Sequence, residues 1–570
     1  PDLANVREIS IGVWNDGAPF SGEVWVDELR LSRGVRTAGA AGHLDIDLTA
    51  SDLADVRLTL RSRGAHFRQL EERPSYQTDQ LFTVASLIRL DRFTPESWGL
   101  EIPLTVSHDR TALEPLFLPD SDVRAGRIPG LRSTGIAQTR VSLGFRKRTP
   151  SADPILRALL DGVDAQLGWY RAANGTITSD QRSSGVDARV GYSRTLDERD
   201  FGLVPSFLKS VLRAVLPGFL EEPVIGARLR WSPERFSLGT VWRRQDASIT
   251  RFDRIIKLSE DAQALPTLLP RETMETAGAL RLRPIPSLTA DITVLTDRDL
   301  LDPEKAVTDP ALSALLERER GGLLGTDLGW ETHRDLRTRV TFGPQLVPWL
   351  RHDVTWSTRY LSDRNATFAR SRTVGSDTVL DLPRTARGQR DARASISIDP
   401  GGLSEGIPAE GDRDVIMLLL SGIRPLTLLW QDGITSRFHQ AEVDPGVAFQ
   451  LGIEDDDSFR FVDGDTAVFV TDRTIWTVRS GLAAGPLVTD FGWARTRANT
   501  LDARSDRSVR IDVWPDVRFS LRDLAMPGGL RVSLGTGVQR TLRETSLGFG
   551  GQQVRTDEDF QLPADLTLTW

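Results

Sequence analysis

From about residue 41 onward the chain returns again and again to one pattern: apolar and polar residues alternate over stretches closed by Gly, Pro, Asp or Asn. A strand sends successive side chains to opposite faces, so this period makes β-strands with one dry face and one wet face. Val186, Ala188, Val190 and Tyr192 alternate with Asp187, Arg189, Gly191 and Ser193, and Leu288, Ala290, Ile292 and Val294 alternate with Thr289, Asp291 and Thr293. The same reading covers His352, Val354, Trp356, Thr358 and Tyr360 against Arg351, Asp353, Thr355, Ser357 and Arg359. It also covers Val517, Phe519 and Leu521 against Arg518, Ser520 and Arg522. Sandwiches alternate too, so strand length has to discriminate. Several stretches run roughly nine to twelve residues, enough to cross a bilayer at a tilt, whereas ordinary strands average about five or six. Ser232–Arg235 reads as a short turn joining Ala227–Trp231 to Phe236–Trp242, while Arg364 to Arg390 reads as a long polar insertion. Short turns on one side and long loops on the other are the habit of transmembrane barrels.

Bulk properties narrow this further. With 39% hydrophobic residues, a mean hydropathy of -0.25 and no strongly apolar run longer than Val415–Leu420, no transmembrane helix is expected. A barrel stays open, because its strands meet lipid only at every second residue. The absence of cysteine from 570 residues excludes disulfides, thiolate metal sites and cysteine nucleophiles. It suits a chain that crosses an oxidising periplasm, and equally a cysteine-poor cytosolic one. A net charge of -8 and a pI near 5.5 argue against a nucleic-acid partner, which asks for a basic domain or stripe. Lysine occurs only at Lys147, Lys209, Lys257 and Lys305, so arginine supplies nearly all of the 71 basic residues. GC-rich coding and lumen-lining arginines both account for that bias. Trp98, Trp231, Trp330, Trp349, Trp514 and Trp570 fall near strand ends, where indoles could sit at headgroup depth, although four tyrosines are few for an aromatic girdle.

Three stretches depart from the strand pattern. Residues 153–160 and 307–320 open on Asp-Pro and keep helical spacing, and Phe201–Leu220 gathers Leu208, Val211, Leu212, Val215, Leu216 and Phe219 on one face. They are expected to be short loop helices. Catalytic signals are weak. The histidines His43, His66, His108, His333, His352 and His439 show no paired ligand spacing. Gly402-Leu403-Ser404-Glu405-Gly406 matches a nucleophile elbow, but Ile407-Pro408 follows where a helix is required. Asp455, Asp456 and Asp457, with Asp463 and Asp465, lack the spacing of a calcium loop and read as solvated turns. No catalytic, cofactor-binding or metal residues are assigned, and no cofactor is expected.

Asn5–Ser32 reads as two strands, the second ending Trp25-Val26-Asp27-Glu28-Leu29-Arg30-Leu31, and a Glu/Arg-rich loop near Glu71-Glu72-Arg73 lies between later strands. There follow Arg92-Phe93-Thr94-Pro95-Glu96, Trp98-Gly99, Ile102-Pro103, Glu114-Pro115-Leu116 and Pro119-Asp120. Together these resemble the SprA/Sov family, the outer-membrane translocon of type IX secretion linked to gliding motility. Trp231–Asp297 is similar to a further family block. The family's usual tyrosine- and asparagine-rich strands are replaced by Arg, Ala and Leu, which makes this a distant relative, and family barrels are longer than this chain. The resemblance implies a protein-conducting pore in the outer membrane of a Gram-negative cell, exporting folded cargo to the surface. It also implies plug and shuttle proteins as partners.

The expected fold is therefore all-β: a large antiparallel transmembrane β-barrel of roughly 20 to 24 strands, taking about 25 residues per strand pair. Residues 1–34 would end a jelly-roll-like segment and 35–570 would supply barrel strands and loops. The chain begins at Pro1 and is expected to be a piece of a longer protein whose sheet does not close on itself. Two alternatives stand beside the translocon, namely another large outer-membrane transporter or receptor, and a soluble β-rich adhesin or carbohydrate-binding array. An enzyme is not expected.

Overall fold

The structure is a computed structural model describing residues 37–69, 75–118, 123–196, 200–202, 228–230, 232–257, 265–323, 326–345, 349–374, 377–403, 422–441, 444–462, 464–502, 505–527, 531–548 and 553–569, with isolated residues elsewhere. The segment 1–34 and most of the Phe201–Leu220 helix fall outside these stretches. The fold is all-β. Among the described residues, 21 strands belong to one antiparallel sheet of the long-stranded kind from which outer-membrane barrels are made. No described helix is long and apolar enough to cross a membrane.

Contacts divide the chain into two units, residues 1–190 with 242–272, and 191–241 with 273–570. In the first, β1 (Ala41–Ala50), β2 (Ala54–Arg63), β3 (Gln77–Arg89), β4 (Pro103–Pro115), β5 (Thr134–Lys147) and β6 (Val163–Gly175) each pair antiparallel with the next. The strands β7 (Ser179–Thr195) and β8 (Arg235–Arg251) come next in the chain.

The second unit is a meander of β9 (Thr267–Ile285), β10 (Leu288–Asp299), β11 (Trp330–Phe342), β12 (Leu350–Arg364), β13 (Arg384–Ile398) and β14 (Ile423–Ala441). It continues through β15 (Phe469–Ala484), β16 (Leu487–Asp502), β17 (Asp506–Ala525) and β18 (Arg531–Gly548). Finally, β19 (Gln553–Gln561) and β20 (Ala564–Thr569) share the far edge of β18.

In the second unit, loop length follows the expected asymmetry. Residues 286–287, 343–349 and 485–486 make short links at one end of the strands, and 300–329, 365–383 and 442–468 make long ones at the other. The links 399–422 and 503–505 break the rule in opposite directions. One expected hairpin is absent. Arg228–Arg230 pairs with Asp200–Gly202, so Ser232–Arg235 does not turn it onto β8. The described part of this arm finds its partner upstream instead.

The Asp-Pro starts do make helices. α1 (Pro154–Leu159) is capped by Asp153, whose carboxylate accepts from the Ile155 and Leu156 amides. In α2 (Pro310–Arg318), Asp309 accepts from the Ala311 amide. Proline at the first helical position loses no bond, and the aspartate satisfies the orphan donors. Leu315 and Leu316 of α2 pack with Trp330 and Leu382, which buries Trp330 to 5% exposure. This corrects the headgroup position expected for that indole: the strand end it occupies is covered by a helix.

Candidate functional site

The register sorts side chains into two faces. Arg339, Ser357, Asp391, Gly433 and Arg473 stand side by side across five strands, β11 to β15. Three residues along, Val354, Ala394, Trp430 and Trp476 line up on the opposite face. The alternations read from sequence are thus true faces, with Val354 43% and Trp476 40% exposed. In the first unit Leu104, Leu143 and Leu167 form one row and Val106, Val141 and Trp169 the next, with Leu167 52% exposed. A row of exposed large apolar side chains repeated from strand to strand is a patch that water does not tolerate, and it marks contact with lipid or protein.

The other face is built from charges and amides. Asp335 accepts from Arg337 Nε at 3.1 Å and from the Arg359 terminal guanidinium nitrogen at 2.9 Å, where Arg337 and Arg359 stand directly opposite. His333 Nδ1 lies 2.6 Å from Asp363, its cross-strand partner. Arg281 donates to Asp291 at 2.6 Å, again straight across. Opposed like charges weaken a sheet and opposed unlike charges support it, so Asp335 acts as the bridge that makes the Arg337–Arg359 pair tolerable.

A third feature was not legible in the sequence. Residues 444–462 fold back as a strap onto the same face as Trp356, against the long-loop ends of β12 to β15. A short helix, α3 (Val447–Gln450), inserts Phe449, and Phe459 follows at the end of the strap; both are buried, against Tyr360, Ala386, Ile434, Phe438 and Val470. Phe449 meets Phe438 edge-on at 5.9 Å, Tyr360 at 6.2 Å, and Phe459 at 5.2 Å. Gly388 makes room for this, since a Cβ there would come 2.8 Å from Phe449 Cζ. Polar anchors surround the aromatics. The Asp444 carboxylate accepts from the Tyr360 hydroxyl at 3.0 Å and pairs with Arg384 at 2.6 Å and Arg334 at 3.3 Å. Arg390 donates to the Glu454 carbonyl at 3.0 Å and pairs with Asp456.

The acidic cluster therefore serves the strap. Ser458 donates its amide and hydroxyl to Asp455, at 3.1 and 2.7 Å, and these bonds hold the Asp455 carboxyl below its ordinary range. No group of three or more metal-capable side chains occurs among the described residues. In the elbow-like string, Gly402 and Leu403 end a short helical turn, and Ser404 lies outside the described residues.

The long loop 300–329 is fastened by Arg320, which donates to the Leu300 and Leu301 carbonyls at 3.1 and 3.0 Å and to Asp327 at 2.8 Å. The Arg320 bond, helped by the Gly329 amide, draws the Asp327 carboxyl below its ordinary range. A lowered folded-state value means that this support is complete above the unfolded carboxylate value, about 3.9, and is lost as pH falls through the folded one. Limited proteolysis within 300–329 should accelerate in acid, and Asp327→Asn should reproduce the acid pattern at neutral pH. Equal cleavage of both proteins at pH 7 would remove Asp327 from this role.

Residues 1–124 match the SprA_N family model, described as motility related/secretion protein. Over this first part the chain is similar to the SprA family. The match takes in β1 to β4, including Trp98-Gly99 and Pro103. No curated protein matches it. Among solved structures, the alcaligin outer membrane receptor FauA from Bordetella pertussis is similar over 93% of this chain and 73% of its own, at 10% identity and a TM-score of 0.31. A double mutant of the Serratia marcescens hemophore receptor HasR, in complex with its hemophore HasA and heme, is similar over 91% and 80%, at 10% identity and a TM-score of 0.28.

Proposed function

We propose that the chain forms the wall of an outer-membrane protein-conducting translocon of type IX secretion, through which folded cargo reaches the cell surface and supports gliding motility. The SprA_N match over residues 1–124 carries this reading. The two-faced strands supply a physical basis for it. The face of Val354, Trp430 and Trp476 would lie against lipid, and the face of Arg337, Arg359 and Asp391 would line a wet passage. A passage needs wetting and electrostatics rather than a nucleophile or a general base, so transport without catalysis is the fitting chemistry. Plug and shuttle proteins would close the conduit and collect cargo when it is idle.

The test is depletion of the full-length protein in its host, followed by comparison of periplasmic and surface proteomes. Cargo should accumulate in the periplasm, and surface spreading should stop. Unchanged secretion with failed uptake of one small ligand would instead identify a receptor or transporter and overturn the translocon.

A further inference from the structure

We propose that the polar face of β11 to β15 is an arginine ladder that favours acidic polypeptide, so that the cargo segments passing this wall are rich in Asp and Glu. The inference rests on the translocon reading and deepens it. Some arginines of this sheet are neutralised on the spot: Arg57 by Asp47, Arg281 by Asp291, Arg495 by Asp512 and Arg540 by Glu558. On β11 to β15 Asp335 neutralises Arg337 and Arg359, but a group of arginines around them is left over. Arg339, Arg387, Arg393, Arg437, Arg473 and Arg479 share the polar face, all are exposed, and none has an ion-pair partner among the described residues.

Register sharpens the point. Arg387 stands directly opposite Arg437, flanked by Leu361 on one side and Phe469 on the other. An unbridged like-charge pair costs stability, and a sheet that bridges Arg337 and Arg359 with Asp335 shows how cheaply it could have been relieved. Asp391 stands two strands from both Arg339 and Arg473 in its row, about 10 Å away at the usual strand spacing, and accepts instead from the Gln389 amide at 2.7 Å. The chain as a whole is acidic at -8, so the positive excess here is local.

The spacing also selects the kind of anion. These guanidiniums are spread over four strands, β11 and β13 to β15, and do not converge with backbone amides on one point, as a phosphate or small-anion site requires. Dispersed single arginines instead suit many carboxylates carried on one moving chain. Each contact is weak enough to release, which passage demands, while the summed field raises the local concentration of acidic segments.

The test uses the full-length protein in planar bilayers, with polyglutamate and polylysine of equal length as probes and inorganic phosphate as a third. Polyglutamate should block conductance at a concentration lower than polylysine by about tenfold or more at low salt, with the gap closing as ionic strength rises. The Arg387→Glu/Arg437→Glu/Arg473→Glu variant should lose or invert the preference, and the corresponding Gln variant should lose it if the Glu form fails to assemble. Equal block by the two polymers through a conducting pore would overturn the ladder and leave the translocon standing. Block by inorganic phosphate as strong as that by polyglutamate would overturn it in favour of a small-anion site. Inserted protein that never conducts would overturn the translocon itself, and the ladder with it.

Discussion

Val190→Arg is expected to abolish outer-membrane assembly, while Arg189→Leu next to it assembles in near-normal yield. Both side chains are exposed in β7, and only the face differs. Val190, 55% exposed, belongs with Val186 and Ala188. Asp187, next to Val186 on the other face, lies where a Cβ on Gly168 of β6 would meet its carboxylate, which fixes it opposite the Leu167 and Trp169 face. An arginine placed toward lipid near the bilayer midplane costs about 2 to 4 kcal/mol, whereas trading an arginine for a leucine on a wetted face leaves no buried charge. Val354→Arg and Arg393→Leu should repeat the contrast in the second unit, where register puts them on opposite faces. The measurement is the fraction of folded, heat-modifiable protein recovered from outer membranes. Similar yields for the two members of each pair would mean that the apolar face does not meet lipid.

The faces were legible because a period of two survives any error in strand ends: whichever residue begins β12, Val354 and Trp356 stay together. The Asp-Pro helix starts were legible for a similar reason, since capping is written within four residues. Features that depend on register between distant strands were not. The sequence contains Arg387 and Arg437 but not their opposition, which needs the β13–β14 pairing. It contains Trp330 beside a strand end, and only the docking of α2 shows that the indole is covered. It contains Phe449 and Phe459 in a stretch of Gly, Asp and Glu that reads as a solvated loop, because the apolar ground they seat on comes from four other strands. The hairpin expected at Ser232–Arg235 rested on local turn chemistry alone, and a turn signal does not say which strand each arm pairs with.

The strap explains how strands of this length can work. β12, β13 and β14 have 15, 15 and 19 residues, while about 9 to 11 suffice to cross a bilayer. On the lipid reading, their long-loop ends continue past the apolar band. Tyr360, Ile434, Phe438 and Val470 lie there on the same face as Val354 and Trp476, and without lipid over them they need another cover. Phe449 and Phe459 supply it. Phe449→Ala should therefore release the strap, since truncating a buried aromatic costs about 3 to 5 kcal/mol and Phe449 is the ring that touches Tyr360, Phe438 and Phe459 together. Tyr360→Phe removes the hydroxyl and its bond to Asp444, worth about 1 kcal/mol, and leaves Arg334 and Arg384 in place. It should loosen the strap without freeing it. The expected order of protease sensitivity within residues 444–462 is Phe449→Ala far above Tyr360→Phe, and Tyr360→Phe slightly above the parent. Because the sheet ladder is untouched, Phe449→Ala protein should still insert, now with exposed apolar surface that binds a hydrophobic dye and promotes association. If Phe449→Ala is as resistant as the parent, the aromatic cluster does not hold the strap. If it fails to insert at all, the strap is part of the assembling wall rather than a cover laid over it.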